Sequence, residues 1–176
     1  ITVDDPDVCE LSTGHSASVP DAGVGASYSW MVSGDATNIS GTNTRIVTWD
    51  ATSYSTGSVS LQVQVTDANG CQGSDSVTVT VNPSPTADAG TDKSICQGGS
   101  VVIGGSPTGS GGTSPYTYLW SPATGLDDPT AANPTASPSS TTTYTVTVTD
   151  AKGCQDSDSV TVTVNPSPTA DAGTDK

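Results

Sequence analysis

Twenty-nine residues of this chain occur twice. Residues 65–93, VTDANGCQGSDSVTVTVNPSPTADAGTDK, return 83 positions later as residues 148–176, and only Asn69/Lys152 and Gly73/Asp156 differ. A copy this close constrains the fold more than any single residue does. It points to an array of like structural units, each built the same way, rather than to one irregular catalytic domain. The shift also sets the expected boundaries. Ile1-Thr2-Val3 reads like Val79-Thr80-Val81, so residues 1–3 are expected to end a preceding repeat. Residues 4–82 and 83–165 are then two full domains, and residues 166–176 open a following one, as in a window cut from a longer array.

Strict alternation dominates within each repeat. Residues 59–65 (VSLQVQV) and 144–148 (YTVTV) place apolar side chains on one face and polar ones on the other, as do 77–81 and 160–164 (VTVTV). A period of two over this length predicts half-buried strands. Asp67-Ala68-Asn69-Gly70 and Asp150-Ala151-Lys152-Gly153 lie between them as turns, with glycine where a positive φ is needed. Each repeat therefore ends in a hairpin with a cysteine just past its turn. Upstream, Tyr28-Ser29-Trp30 corresponds to Tyr118-Leu119-Trp120. A Trp on a mid-domain strand is the usual core anchor of an immunoglobulin-like sandwich. Shorter strands are expected at 16–19, 45–49 and 101–103, and the Pro-rich region from Pro122 to Pro138 should be irregular or an edge. Asn82-Pro83-Ser84-Pro85 and Asn165-Pro166-Ser167-Pro168 read as short, stiff junctions. The expected fold is all-β: tandem β-sandwiches joined by Pro-rich linkers.

Composition supports this and excludes some partners. Ser and Thr make up about a third of the chain, and the acidic residues are 17 Asp and one Glu, which favours turns over helices. A net charge of −14 with four basic residues argues against nucleic acid and against anionic membrane surfaces. No apolar run approaches the roughly 18 residues needed to span a bilayer. The four cysteines fall two to a repeat. The expected pairs are Cys9–Cys71 and Cys96–Cys154 in an oxidising compartment, with free buried thiols as the alternative. Zinc is disfavoured, because CxxC spacing is missing and His15 is the sole histidine.

Residues 94–103 (SICQGGSVVI), 118–126 (YLWSPATGL) and 141–154 (TTTYTVTVTDAKGC) carry a resemblance. The second repeat resembles the PKD-like, immunoglobulin-like repeats of giant exported bacterial surface proteins, abundant in Bacteroidetes. The first repeat is a divergent relative that keeps Cys9, the Trp30 strand and VTDANGC; neither has the WDFGDG signature of the wider family. The resemblance implies an extracellular, cell-surface setting. It also implies a structural role in a stalk, filament or adhesin that extends and displays binding regions. The partners would be neighbouring repeats, other copies in a fibre, or a surface glycan or protein.

No catalytic constellation stands out, so the chain is not expected to be an enzyme. His15 reads as a solvated loop residue near a turn. Some PKD-like domains bind calcium, and Asp88, Asp92 and Asp150, with Asp5 and Asp67 as counterparts in the first repeat, are the candidate ligands; their alternative role is in turns and caps. Two other readings remain: a glycan- or protein-binding module using loop 106–114 or the face around Trp49, and an accessory domain of a secreted hydrolase. Asn38-Ile39-Ser40, Asp75-Ser76-Val77 and Asp158-Ser159-Val160 are candidate glycosylation sequences.

Overall fold

The computed structural model describes residues 1–171 and Gly173, and it is all strand and loop. Eight strands build the first sandwich: β1 (Thr2–Val3), β2 (Asp7–Cys9), β3 (His15–Ser18), β4 (Ser27–Gly34), β5 (Ala36–Ser40), β6 (Ile46–Ala51), β7 (Ser58–Thr66) and β8 (Gln72–Asn82). They form two four-stranded sheets, ordered β1-β3-β6-β5 and β2-β8-β7-β4. The alternation is realised side chain by side chain: Val59, Leu61 and Val63 of β7 face inward with Val79 and Val81 of β8. Trp30 of β4, opposite Val63, and Trp49 of β6 close the same core. Each fully buried Val or Leu contributes about 1.5–3 kcal/mol relative to an exposed one.

The second sandwich comprises β9 (Pro85–Ala87), β10 (Lys93–Cys96), β11 (Val101–Val102), β12 (Gly109–Gly111), β13 (Thr117–Ser121), β14 (Thr135–Ala136), β15 (Thr142–Thr149) and β16 (Gln155–Asn165). Its main sheet is ordered β10-β16-β15-β13, and β11–β14 and β9–β12 are small two-stranded ribbons. Tyr144, Val146, Val148, Val160 and Val162 line the core around Trp120. The stretch 122–138 contributes only the two-residue strand β14, as its prolines foretold.

The hairpins are built alike. In β7–β8 the Asp67 carboxylate accepts the Asn69 and Cys71 amides at 2.8 and 2.9 Å, while Gly70 takes φ 83°. Gly153 takes φ 83° at the matching place in β15–β16. A parallel strand joins each hairpin from the other end of the chain segment. Cys9 of β2 sits opposite Asn82, and Cys96 of β10 sits opposite Asn165.

Compact units follow the two sandwiches, except that Lys152–Cys154 falls with Ile1–Ser84. Residues 1–3 fall within the compact unit that begins at Ile1. They form β1, paired to β3, and Ile1 and Val3 pack against the first core, which gives these apolar side chains their reason to stay.

Candidate functional site

The cysteines depart most from expectation. Cys9 is bonded to Cys154, 145 residues on, with Cα atoms 5.5 Å apart, while Cys71 and Cys96 are free and exposed. Neither Cys9–Cys71 nor Cys96–Cys154 forms, and strand length explains why. Cys71 directly precedes β8, whereas Cys9 pairs with Asn82, the last residue of that 11-residue strand. At about 3.3 Å per residue the two are roughly 35 Å apart. A disulfide needs Cα atoms within about 7 Å. Cys154 and Cys96 are held apart in the same way by β16, also 11 residues long. Beside the formed bond, Lys152 pairs with Asp7 at 3.6 Å, both side chains partly exposed.

The five candidate calcium ligands are not brought together. Asp5 accepts the Asp7 amide at 3.0 Å, Asp88 the Gly90 amide at 2.8 Å, and Asp92 the Thr161 amide at 2.8 Å. Asp150 is buried and accepts the Thr113 amide at 2.8 Å. Asp67 is held below the usual carboxylate range, chiefly by the Cys71 amide and next by the Asn69 amide. Among the described residues, no group of three or more His, Cys, Asp or Glu side chains is placed to hold a metal ion. These carboxylates satisfy backbone amides instead, the turn and cap role that competes with metal binding.

Both proposed binding surfaces change. Trp49 is 1 % exposed, because β6 turns Val47, Trp49 and Ala51 inward together. Its indole Nε1 is buried with no hydrogen-bond partner among the described residues, and His15 of β3 lies across from it with ring centroids 5.9 Å apart. His15 is thus a half-buried strand residue rather than a loop residue, and its Nε2 meets Ser12 Oγ at 2.8 Å. Segment 106–114 is not a free loop, since Gly109–Gly111 forms β12 against β9 and Thr108 is buried. Asn38, Ser76 and Ser159 are exposed, but Asn38 Nδ2 donates to Asp50 at 2.7 Å and Ser159 Oγ lies 2.8 Å from Thr145 Oγ1.

One functional side chain escaped the sequence reading. Asp35 is 1 % exposed and accepts hydrogen bonds from the Ser55 hydroxyl and from the amides of Ser55, Thr56 and Gly57. The Ser55 hydroxyl is the largest cause of its strongly lowered pKa, with those amides adding to it against the cost of burial. It clamps the loop between β6 and β7. A lone Asp beside a glycine gives no local sign of this, because its partners lie 20 residues on.

The geometry defines tandem immunoglobulin-like β-sandwiches. Residues 1–81 match the family model described as a PKD-like domain. None of the curated proteins matches the chain. Among solved structures, the PKD domain from the KIAA 1837 protein is 28% identical, with 49% of this chain and 92% of that one covered and a TM-score of 0.41. The C-terminal 282-residue fragment of intimin, in complex with the translocated intimin receptor's intimin-binding domain, is 15% identical. That likeness covers 86% of this chain and 57% of the fragment's, at a TM-score of 0.49. The Bacteroides ovatus glucan-utilization protein SGBP-B, in complex with a mixed-linkage heptasaccharide, is 20% identical over 92% of this chain and 43% of its own, at a TM-score of 0.34.

Proposed function

We propose that this chain is a structural repeat segment of a long extracellular surface protein, a stalk or filament that extends and displays other regions. The observation that carries this reading is the reuse of one frame. The same hairpin, the same parallel strand and the same Trp anchor recur with matched register in both sandwiches. Nearly every other conspicuous polar group is spent on holding that frame. Asp5, Asp67, Asp88, Asp92 and Asp150 tie down backbone amides, and Trp49 and Thr108 are inside. This use of side chains supports a non-catalytic role. The Cys9–Cys154 bond suits an oxidising, extracellular setting.

Antibodies against the chain, applied to intact source cells and read by electron microscopy, test the proposal. Surface-bound threads with a regular spacing are expected. Label confined to the cell interior would overturn it.

A further inference from the structure

We infer that Cys96 of one copy of this chain bonds to Cys71 of a second copy, head to tail, in a repeat of the Cys9–Cys154 linkage. The inference deepens the structural-repeat reading and rests on its extracellular setting.

Each cysteine occupies one of two positions in a sandwich. The first is the end of the short parallel strand: Cys9 opposite Asn82, and Cys96 opposite Asn165, with the two asparagines 83 residues apart. The Glu10 amide donates to the Asn82 carbonyl at 2.9 Å, and the Gln97 amide donates to the Asn165 carbonyl at 2.9 Å, so the local backbone is the same. The second position follows the hairpin turn: Cys71 before β8 and Cys154 before β16, again 83 residues apart. The formed bond joins one position of each kind. The two remaining thiols are also one of each kind, and both are exposed.

A strand-end cysteine cannot reach the hairpin cysteine of its own sandwich, because an 11-residue strand lies between them. Cys9 instead takes the hairpin cysteine of the repeat that follows it in sequence. For Cys96 the equivalent partner is the hairpin cysteine of another sandwich, and Cys71 of a second copy is one whose thiol is free and exposed. The flanking residues permit this. Where Asp7 meets Lys152 beside the formed bond, the equivalent positions hold Ser94 and Asn69, both uncharged. A linkage of unlike positions is head to tail, so a linear series leaves one Cys71 and one Cys96 at its ends for the next copy.

The chemistry is thiol–disulfide exchange with a small-molecule disulfide such as oxidised glutathione. One thiolate attacks the oxidant and releases one glutathione thiol. The second thiolate then displaces the other, so two cysteines lose two electrons and two protons as one glutathione disulfide becomes two thiols.

The test uses the full chain at physiological salt in a glutathione redox buffer, read by non-reducing electrophoresis and peptide mass spectrometry. The expected result is a ladder of dimers and larger species that collapses on reduction. Cys71→Ser and Cys96→Ser should each remain monomeric, because both thiols are exposed and their loss leaves the cores intact. Mixing the two variants should restore a dimer and nothing larger, with a Cys71–Cys96 linked peptide. A wild-type chain that stays monomeric would overturn the inference. So would single variants that dimerise as readily as the mixture, or a Cys71–Cys96 peptide found only in the monomer band. Any of these leaves the surface-labelling result untouched, so the two readings fail separately.

Discussion

The two sandwiches share a frame and differ in how they fill it. From Trp30 to Val63 the first spends 33 residues, and from Trp120 to the equivalent Val146 the second spends 26. The longer path builds β5 and β6, buries Trp49 and ties its exit loop to Asp35. The shorter path stays irregular and is held by side chains. Asn133 Nδ2 donates to the Gly105 carbonyl at 2.9 Å, and Thr108 Oγ1 donates to the Ala132 carbonyl at 2.9 Å. Tyr144 Oη reaches the Thr124 carbonyl at 3.0 Å from a place where the first sandwich has Leu61. Strand pairing and hydrogen-bonded loops thus solve the same problem, which is how to cover a Trp-centred core on its open side. The indole hydrogen bonds show the common requirement: Trp30 Nε1 donates to Thr44 and Trp120 Nε1 to Ala131, each a carbonyl of the variable region.

The largest effects should fall on what is shared. Trp30→Ala and Trp120→Ala should each cost about 3–5 kcal/mol in the sandwich that holds them. Hydrogen exchange resolved to the β7 and β15 amides checks this. Comparable loss of protection in both sandwiches from either change would break the picture of two separately filled cores.

Asp35 comes next and should mark the first sandwich alone. Its folded pKa is depressed, so its contribution is present above the unfolded carboxylate value near 3.9 and is lost as pH falls below it. Protection of the β7 amides should therefore decline on acidification, and Asp35→Asn should lower it at neutral pH while flattening that decline. An acid response unchanged by Asp35→Asn would assign it to other carboxylates.

Tyr144→Phe should be milder, about 1 kcal/mol, and confined to the second sandwich, because it removes one hydrogen bond and keeps the ring. Denaturant titration with the same exchange readout measures it. Smallest of all, Lys152→Asn, which installs the residue found at position 69, should shift stability by no more than about 1 kcal/mol, as partly exposed ion pairs do.

Much of the frame was legible in the sequence. Alternating apolar and polar residues give β7, β8, β15 and β16, Asp–x–x–Gly gives the turns, and Trp30 and Trp120 give the anchors. These signals are local, so they survive without partners. What escaped was long-range. The parallel pairing of Asp7–Cys9 with residues 80–82 leaves no local mark, yet it decides that Cys9 lies far from Cys71. The burial of Trp49 leaves no local mark, because an exposed indole and a buried one look alike in a six-residue strand whose facing partner is unknown. Asp35 has no local signature because its donors come from a loop 20 residues on, and acidic residues near turns suit metals and amides equally well.

The Cys9–Cys154 bond has a mechanical meaning. When tension is applied to the two ends of the chain, it runs along residues 1–9, crosses the sulfur bridge and continues from residue 154, and the chain between carries none of it. The strands on that line are β1, β2 and β16, and of the two Trp strands, β4 and β13, neither is loaded through the backbone. Reduction would put the span between the two cysteines under load and release up to roughly 500 Å of slack from its 145 residues. While the bond is intact, the span it encloses cannot lengthen the chain.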